Sequence, residues 1–220
     1  VFPLLLILLM IAVYARSVGN DFIYDDLELI VKQEPARNWT AWRSILTEPH
    51  WHSLPYYRPI SRATMVIQKT LHGDTPAPFH IFNFLVVAAC GLVVWYVLRG
   101  KPFEFTPVAA FFTAALFTLH PIASSCVYPI CSGRETMIPA LFVLIALTAW
   151  LRPGRAGAVI GGLAAVCAFF SKEQAVVLPL ILYSADRLLR TESRRSWRAY
   201  VPILVCLLVF LWIRHQVLKD

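Results

Sequence analysis

Apolar residues gather in seven blocks along this chain, near residues 1–16, 80–98, 107–119, 136–151, 156–170, 175–186 and 199–213. Several blocks fall short of the roughly 20 residues that a membrane span needs, so tilt, burial or a locally thinned bilayer must make up the difference. The pattern predicts an all-α integral membrane protein with about seven transmembrane helices. The opening block also holds Val13-Tyr14-Ala15, a passable small-x-small cleavage triplet. Six further blocks follow it, which favours a first transmembrane helix over a signal peptide.

Charge decides how the blocks are threaded. Lys172 and Glu173 interrupt the apolar run from 156 to 186, and a charge at mid-bilayer costs about 2.5–3.5 kcal/mol on insertion scales. A single helix over that run would put Arg152 and Arg155 on one side of the membrane. The stretch RLLRTESRRSWR, with Arg187, Arg190, Arg194, Arg195 and Arg198, would then lie on the other. A hairpin turning at Ser171–Gln174 puts both clusters on one side, together with Arg99 and Lys101, and leaves only Arg134 and Lys172 in the short loops opposite. The positive-inside rule favours the hairpin. The N-terminus is then inner, and Lys172–Glu173 lie at or just within the outer interface.

Residues 17–79 form one long outer loop, nearly neutral, with seven acids against six bases. Trp39, Trp42, Trp51, Tyr56, Tyr57, His50 and His52 give it rings with polar edges, which favour the membrane interface. Short interfacial helices are expected over 39–46 and 60–71, with Pro49, Pro55 and Pro59 breaking the chain between them. Asn38-Trp39-Thr40 is formally a glycosylation sequon. Asp25 and Asp26 stand together just after the first block. They read either as a solvated turn or as a general base or cation site near the headgroups.

Composition agrees with the membrane reading: 58% of the 220 residues are hydrophobic and 15% charged, against about 25% charged in soluble domains. The net charge of +7 would suit nucleic acid, but its concentration in short loops between apolar blocks argues for no nucleic-acid partner. The five cysteines lack metal-ligand spacing. Cys90, Cys167 and Cys206 lie in apolar blocks, and Cys126 and Cys131 are open to reading as a disulfide or as two thiols. The chain begins at Val1 and is expected to be one membrane module, residues 1–220, of a longer protein.

Six motifs occur in order: FIYDD at 22–26, YRPI at 57–60, FHIFN at 79–83, LHPI at 119–122, GRE at 133–135 and SKEQ at 171–174. Together they resemble the membrane module of the transmembrane O-mannosyltransferases that carry tetratricopeptide repeats, and of related bacterial proteins, within the GT-C glycosyltransferase superfamily. Where that family often has an acid shortly after the His-Pro pair, this chain reads Ala123-Ser124-Ser125. The resemblance implies a GT-C-like fold and inverting transfer of a sugar, mannose-like or another hexose. The donor would be a polyprenyl- or dolichyl-phosphate sugar, and the acceptor a hydroxyl of a protein, glycan or lipid. The site would face the periplasm or outside of a bacterial inner membrane, or the ER lumen. It implies an acid of the first outer loop as base: by position Asp25, with Asp26 beside it.

The chemistry sets the same requirements. The acceptor hydroxyl must lose its proton, so a carboxylate belongs on its side. The leaving lipid phosphate gains negative charge, which fixed cations stabilise best where water is excluded. Arg58, Arg134 and Lys172 are the phosphate-binding candidates, with His80, His120, Glu135 and Glu173 in support. A monophosphate donor is weakly charged, so no metal or other cofactor is expected. Plainer roles stand beside these. Lys172–Glu173 also reads as an interfacial turn, Arg134–Glu135 as a helix cap, and His120 as a backbone partner beside Pro121. His80 and Asn83 also read as structural openers of the second span. A transporter or a non-catalytic membrane scaffold would explain some of the charges, but neither accounts for their gathering on one face.

Overall fold

The computed structural model describes residues 1–51, 54–189 and 194–219, and among these it contains helices and turns but no strand. Arg190 of the basic stretch and His52 of the long loop lie outside the described residues. The chain forms α1 (Phe2–Tyr14), α2 (Trp39–Thr47), α3 (Pro59–His72), α4 (Pro76–Arg99) and α5 (Pro107–Leu119). These are followed by α6 (Pro121–Ser124), α7 (Ile130–Leu151), α8 (Gly154–Phe169), α9 (Leu178–Leu189) and α10 (Val201–Leu218). Proline opens six of them at the first or second position, among them α3, α4 and α5. There its missing N–H leaves nothing unsatisfied.

Four helical stretches are long and apolar enough to cross a membrane: Phe2–Gly19, Pro76–Arg99, Ile130–Leu151 and Trp197–Leu218. Helices α5 and α8 are apolar but shorter. The block at 175–186 divides into a 3₁₀ turn, Glu173–Val177, and the 12-residue α9. α9 buries Leu178, Leu182 and Ala185 and leaves Leu180, Tyr183 and Leu188 outward. At about 1.5 Å per residue it spans roughly 18 Å, well short of a hydrocarbon core of about 30 Å.

Helices α4 and α7 form the centre, with α1 and α5 packed on one flank and α8 and α9 on the other. Small residues set the α7–α8 spacing. Gly157, Gly161, Ala164 and Ala168 of α8 are buried, and a Cβ on Gly157 would stand 2.5 Å from the Ala149 carbonyl of α7. Close backbone approach through small residues drives helix association in lipid, where apolar burial supplies no net force. Large apolar residues remain outside, such as Phe112 and Leu116 on α5, Leu163 on α8 and Leu208 on α10. An exposed apolar surface of this extent suits lipid, not water.

The chain does reverse at Ser171–Gln174. The Arg195 guanidinium donates to the carbonyls of Trp150, Arg152 and Gly154, and the Arg195 amide donates to Asp186. The end of α7, the start of α8 and the end of α9 therefore meet at one end of the bundle. The two short helices of the long loop are also present, as α2 and α3. Arg62 of α3 ties them together by donating to the carbonyls of Ser44 at 3.0 Å and Pro49 at 3.2 Å. Asn38 of the sequon accepts from the Ala41 amide at 2.9 Å and so caps α2. All five cysteines are free thiols, and Cys131 Sγ lies 3.6 Å from Met65 Sδ.

Candidate functional site

The motifs read from the sequence interlock at the end of the bundle opposite Arg195. YRPI and SKEQ form one joint. Glu173 accepts from the Tyr57 amide at 3.0 Å and from Arg58 Nε at 2.9 Å. Beside it, the Ile60 amide donates to the Phe170 carbonyl at 3.0 Å and Ser61 Oγ to the Ser171 carbonyl at 2.9 Å. The long loop is thus fastened onto the α8–α9 turn.

Arg58 also pairs with Glu135 of α7, and it stacks over Tyr56 with 4.1 Å to the ring centroid. Glu135 in turn meets His50 Nε2 at 2.5 Å. His50, Arg58 and Glu135 are buried and Glu173 partly so, giving a continuous polar chain in which Arg58 bridges two carboxylates. Burial of these carboxylates is tolerable because each has hydrogen-bonded partners. Pro139 lies four residues on, where it cannot donate to the Glu135 carbonyl, so the α7 ladder is interrupted beside the cluster.

YDD, FHIFN and GRE form a second joint. Asp26 is buried and accepts from the Cys131 amide at 2.8 Å, the Ile130 amide at 3.4 Å and the Ile23 amide at 3.2 Å. A carboxylate at these positions satisfies the first amides of α7 and meets its positive dipole end. This explains why α7 starts at Ile130, six residues before the apolar block. Asn83 donates to the Ile130 carbonyl at 3.0 Å and accepts from Arg134 Nε at 3.0 Å. Arg134 is fully buried, donates to the Phe79 carbonyl at 3.1 Å and lies over the rings of Phe79 and Phe82. Gly133 has to be glycine, because a Cβ there would stand 2.2 Å from the Cys126 carbonyl. His80 is buried, and its ring nitrogens approach the backbone of Asn20 and Val127 without meeting hydrogen-bond geometry.

Among the described motif residues, Asp25 and Lys172 are charged side chains outside these two joints. Asp25 is exposed and makes no hydrogen bond or ion pair among the described residues. Its carboxyl is held above the usual range, first by partial desolvation, then by the charges of Glu135 and Asp26. Lys172 is half-buried and donates from Nζ to Thr136 Oγ1 at 3.3 Å. Partial burial pushes its ammonium below the ordinary lysine value, and the Arg58 charge adds to this. Glu135 and Glu173 oppose the shift. Among the described residues no three His, Cys, Asp or Glu side chains converge as metal ligands.

An apolar cavity of about 540 Å³ opens beside Thr136, the hydrogen-bond partner of Lys172. Val87, Leu116, Phe117 and Met137 line it, with His120 and Thr136 among its few polar members. His120 is exposed and accepts from the Ile122 amide at 3.2 Å, the plainer role foreseen for it. Thr136 and His50 were not singled out as site residues by the sequence reading. Thr136 directly follows the GRE motif, whereas His50 meets a partner 85 positions away and leaves no local signal.

The fold and site define a helical membrane module with an exposed carboxylate, a half-buried ammonium and an apolar cavity. The curated relatives it matches are protein O-mannosyl-transferases. The chain is 27% identical to human protein O-mannosyl-transferase TMTC4 over 164 residues, 66% of this chain and 22% of the relative. It is 28% identical to protein O-mannosyl-transferase F38B6.6 of Caenorhabditis elegans over 217 residues, 94% of this chain and 30% of the relative. It is 31% identical to human protein O-mannosyl-transferase TMTC1 over 156 residues, 67% of this chain and 18% of the relative. The chain therefore spans less than a third of the length of each of these relatives. No family model and no solved structure matches it. The resemblance to the O-mannosyltransferases read from the sequence holds.

Proposed function

We propose that this module transfers a hexose, mannose-like, from a polyprenyl-phosphate carrier to a hydroxyl acceptor, with inversion, at the outer or lumenal face. The observation that carries this reading is the position of Lys172. Its Nζ sits on Thr136 at the rim of the apolar cavity, so a lipid tail in the cavity would bring its phosphate to an ammonium. Loss of the sugar leaves charge on that phosphate, and a partly desolvated cation stabilises it. Asp25 supplies the base: it is exposed, free of partners and holds its proton more tightly than an ordinary aspartate.

The other acids and cations act through these two. Asp26 fixes the start of α7 and so the place of Asp25. Glu173 and Glu135 hold Arg58 at the edge of the site, and its charge adds to the burial that lowers the Lys172 ammonium below the ordinary lysine value. Arg134 is enclosed by Phe79, Phe82 and Asn83 and supports α7 from within. The basic loops lie at the far end of the bundle, so the positive-inside rule would put this site on the outer or lumenal face.

Mass spectrometry of lipids carried through purification tests the donor class. A polyprenyl phosphate, bare or glycosylated, is expected in wild type and depleted in Lys172→Met. Wild-type protein that turns over a sugar nucleotide and ignores the lipid-linked donor would overturn the reading.

A further inference from the structure

The end of the bundle remote from the proposed active site carries a second, separate pair of cavities. The first, about 270 Å³, lies between the segment that follows α4 and the α7–α8 turn. Arg99, Lys101 and Arg152 converge on it from these two places in the chain. The second, about 340 Å³, runs between α4, α7 and α8 and is walled by Val93, Ile145, Ala156 and Ile160. The two share Tyr96, Thr148, Arg152 and Pro153, so the cationic cavity opens into the apolar one.

None of the three cations has an acidic partner among the described residues. Arg152 is oriented instead by Tyr96, which accepts a hydrogen bond from it and lies 5.0 Å below its guanidinium. Arg99 donates to the Phe105 carbonyl at 2.6 Å, which folds the connecting segment back over the cavity mouth. Unpaired cations held by a ring and a carbonyl, above an apolar groove, match an amphiphile with an anionic head. A soluble anion would leave the groove unfilled. A zwitterionic lipid would set its own cation against three more.

We propose that this cleft binds an anionic phospholipid of the inner leaflet. The phosphate lies among Arg99, Lys101 and Arg152, and one acyl chain runs along the groove between α4, α7 and α8. Basic pockets between helices on the cytoplasmic side are suited to such headgroups. The bound lipid would tie the α4–α5 connection to the α7–α8 turn from outside, adding to the Arg152–Tyr96 bond between α4 and that turn.

Native mass spectrometry of the delipidated full chain, titrated with dioleoyl phosphatidylglycerol or dioleoyl phosphatidylcholine, tests this directly. One phosphatidylglycerol should be retained at least about tenfold more strongly than phosphatidylcholine. Removing two charges with Arg99→Gln and Lys101→Gln should weaken its retention about 30-fold, with helix content by circular dichroism unchanged. Arg194→Gln with Arg198→Gln removes the same charge elsewhere in the basic loops and should leave retention as it was. Ala156→Phe, which fills the groove without altering charge, should weaken both lipids. Equal retention of the two lipids in wild type would overturn the proposal. So would an equal loss in the Arg194/Arg198 control, which would mean general surface charge, or unchanged retention in Ala156→Phe.

Discussion

Glu173 holds Tyr57 and Arg58 at once, accepting from the amide of the first at 3.0 Å and from Nε of the second at 2.9 Å. One carboxylate thereby fastens the long outer loop to the α8–α9 turn, and the Lys172 beside it inherits a fixed position. Glu173→Ala should release the Tyr57 amide, raising its hydrogen-exchange rate at least tenfold. Stability should fall by about 1–3 kcal/mol, as expected when a buried donor loses a charged acceptor. Unchanged exchange at Tyr57 would show that the loop is held elsewhere.

Gly133 gives a purely steric prediction. Gly133→Ala places a Cβ 2.2 Å from the Cys126 carbonyl, and backbone cannot swing aside as a long side chain can. The start of α7 must shift, at a cost of about 1–3 kcal/mol. A lower melting temperature is expected, with Arg134 and Glu135 displaced together and turnover reduced. A variant as stable as wild type would show that the 120–129 segment yields freely.

Much of this was legible from the chain, and the parts that were not share a cause. Nine basic residues in three short loops fixed the reversal at Ser171–Gln174, because charge asymmetry is a one-dimensional signal. The prolines and aromatic residues of the outer loop marked α2 and α3 for the same reason. Apolar length was less informative. A run of hydrophobic residues does not separate a spanning helix from α9, which buries one face and is broken before Leu178 by a 3₁₀ turn. The site motifs were recognisable one by one, but their joints were not. The carboxylate of Asp26 caps a helix that begins 104 positions later, whereas a cap read from sequence lies three residues from its amide. His50 and Glu135 are equally remote.

The two free charged groups should show in a pH profile. The proposed base, Asp25, would act only when ionised, and its value is raised. Turnover should therefore fall with acid at a pH above that of an ordinary aspartate. A raised carboxyl makes the folded state relatively more stable as pH drops, so this group's linkage does not predict unfolding there. In the proposed role Lys172 would hold phosphate only when protonated, and its value is lowered. Donor binding should therefore weaken with base before an ordinary lysine would titrate. By the same linkage a lowered lysine stabilises the fold as pH rises, so the loss is one of binding. Lys172→Arg should move that basic limb upward. An unmoved limb would remove Lys172 from the donor site.

The adjacent acids provide the sharpest separation, because the structure gives them opposite surroundings. Asp25 is exposed and unpartnered, so Asp25→Asn removes nothing that the fold uses. It should leave the melting temperature within about 1 °C, consistent with a surface change of under about 0.5 kcal/mol. Turnover should fall at least about 100-fold, the range for loss of a general base, with donor affinity little changed. Asp26 is buried on the Ile130 and Cys131 amides. Asp26→Asn keeps one acceptor oxygen but loses the charge that meets the α7 dipole, so it should cost about 1–2 kcal/mol of stability. Its turnover should fall less, and in step with the misplacement of α7, so that lowering the temperature recovers part of it. Thermal melts and single-turnover rates on the two variants decide the matter. A stable but active Asp25→Asn beside a stable but inactive Asp26→Asn would exchange the roles assigned here and make the buried carboxylate the reacting one.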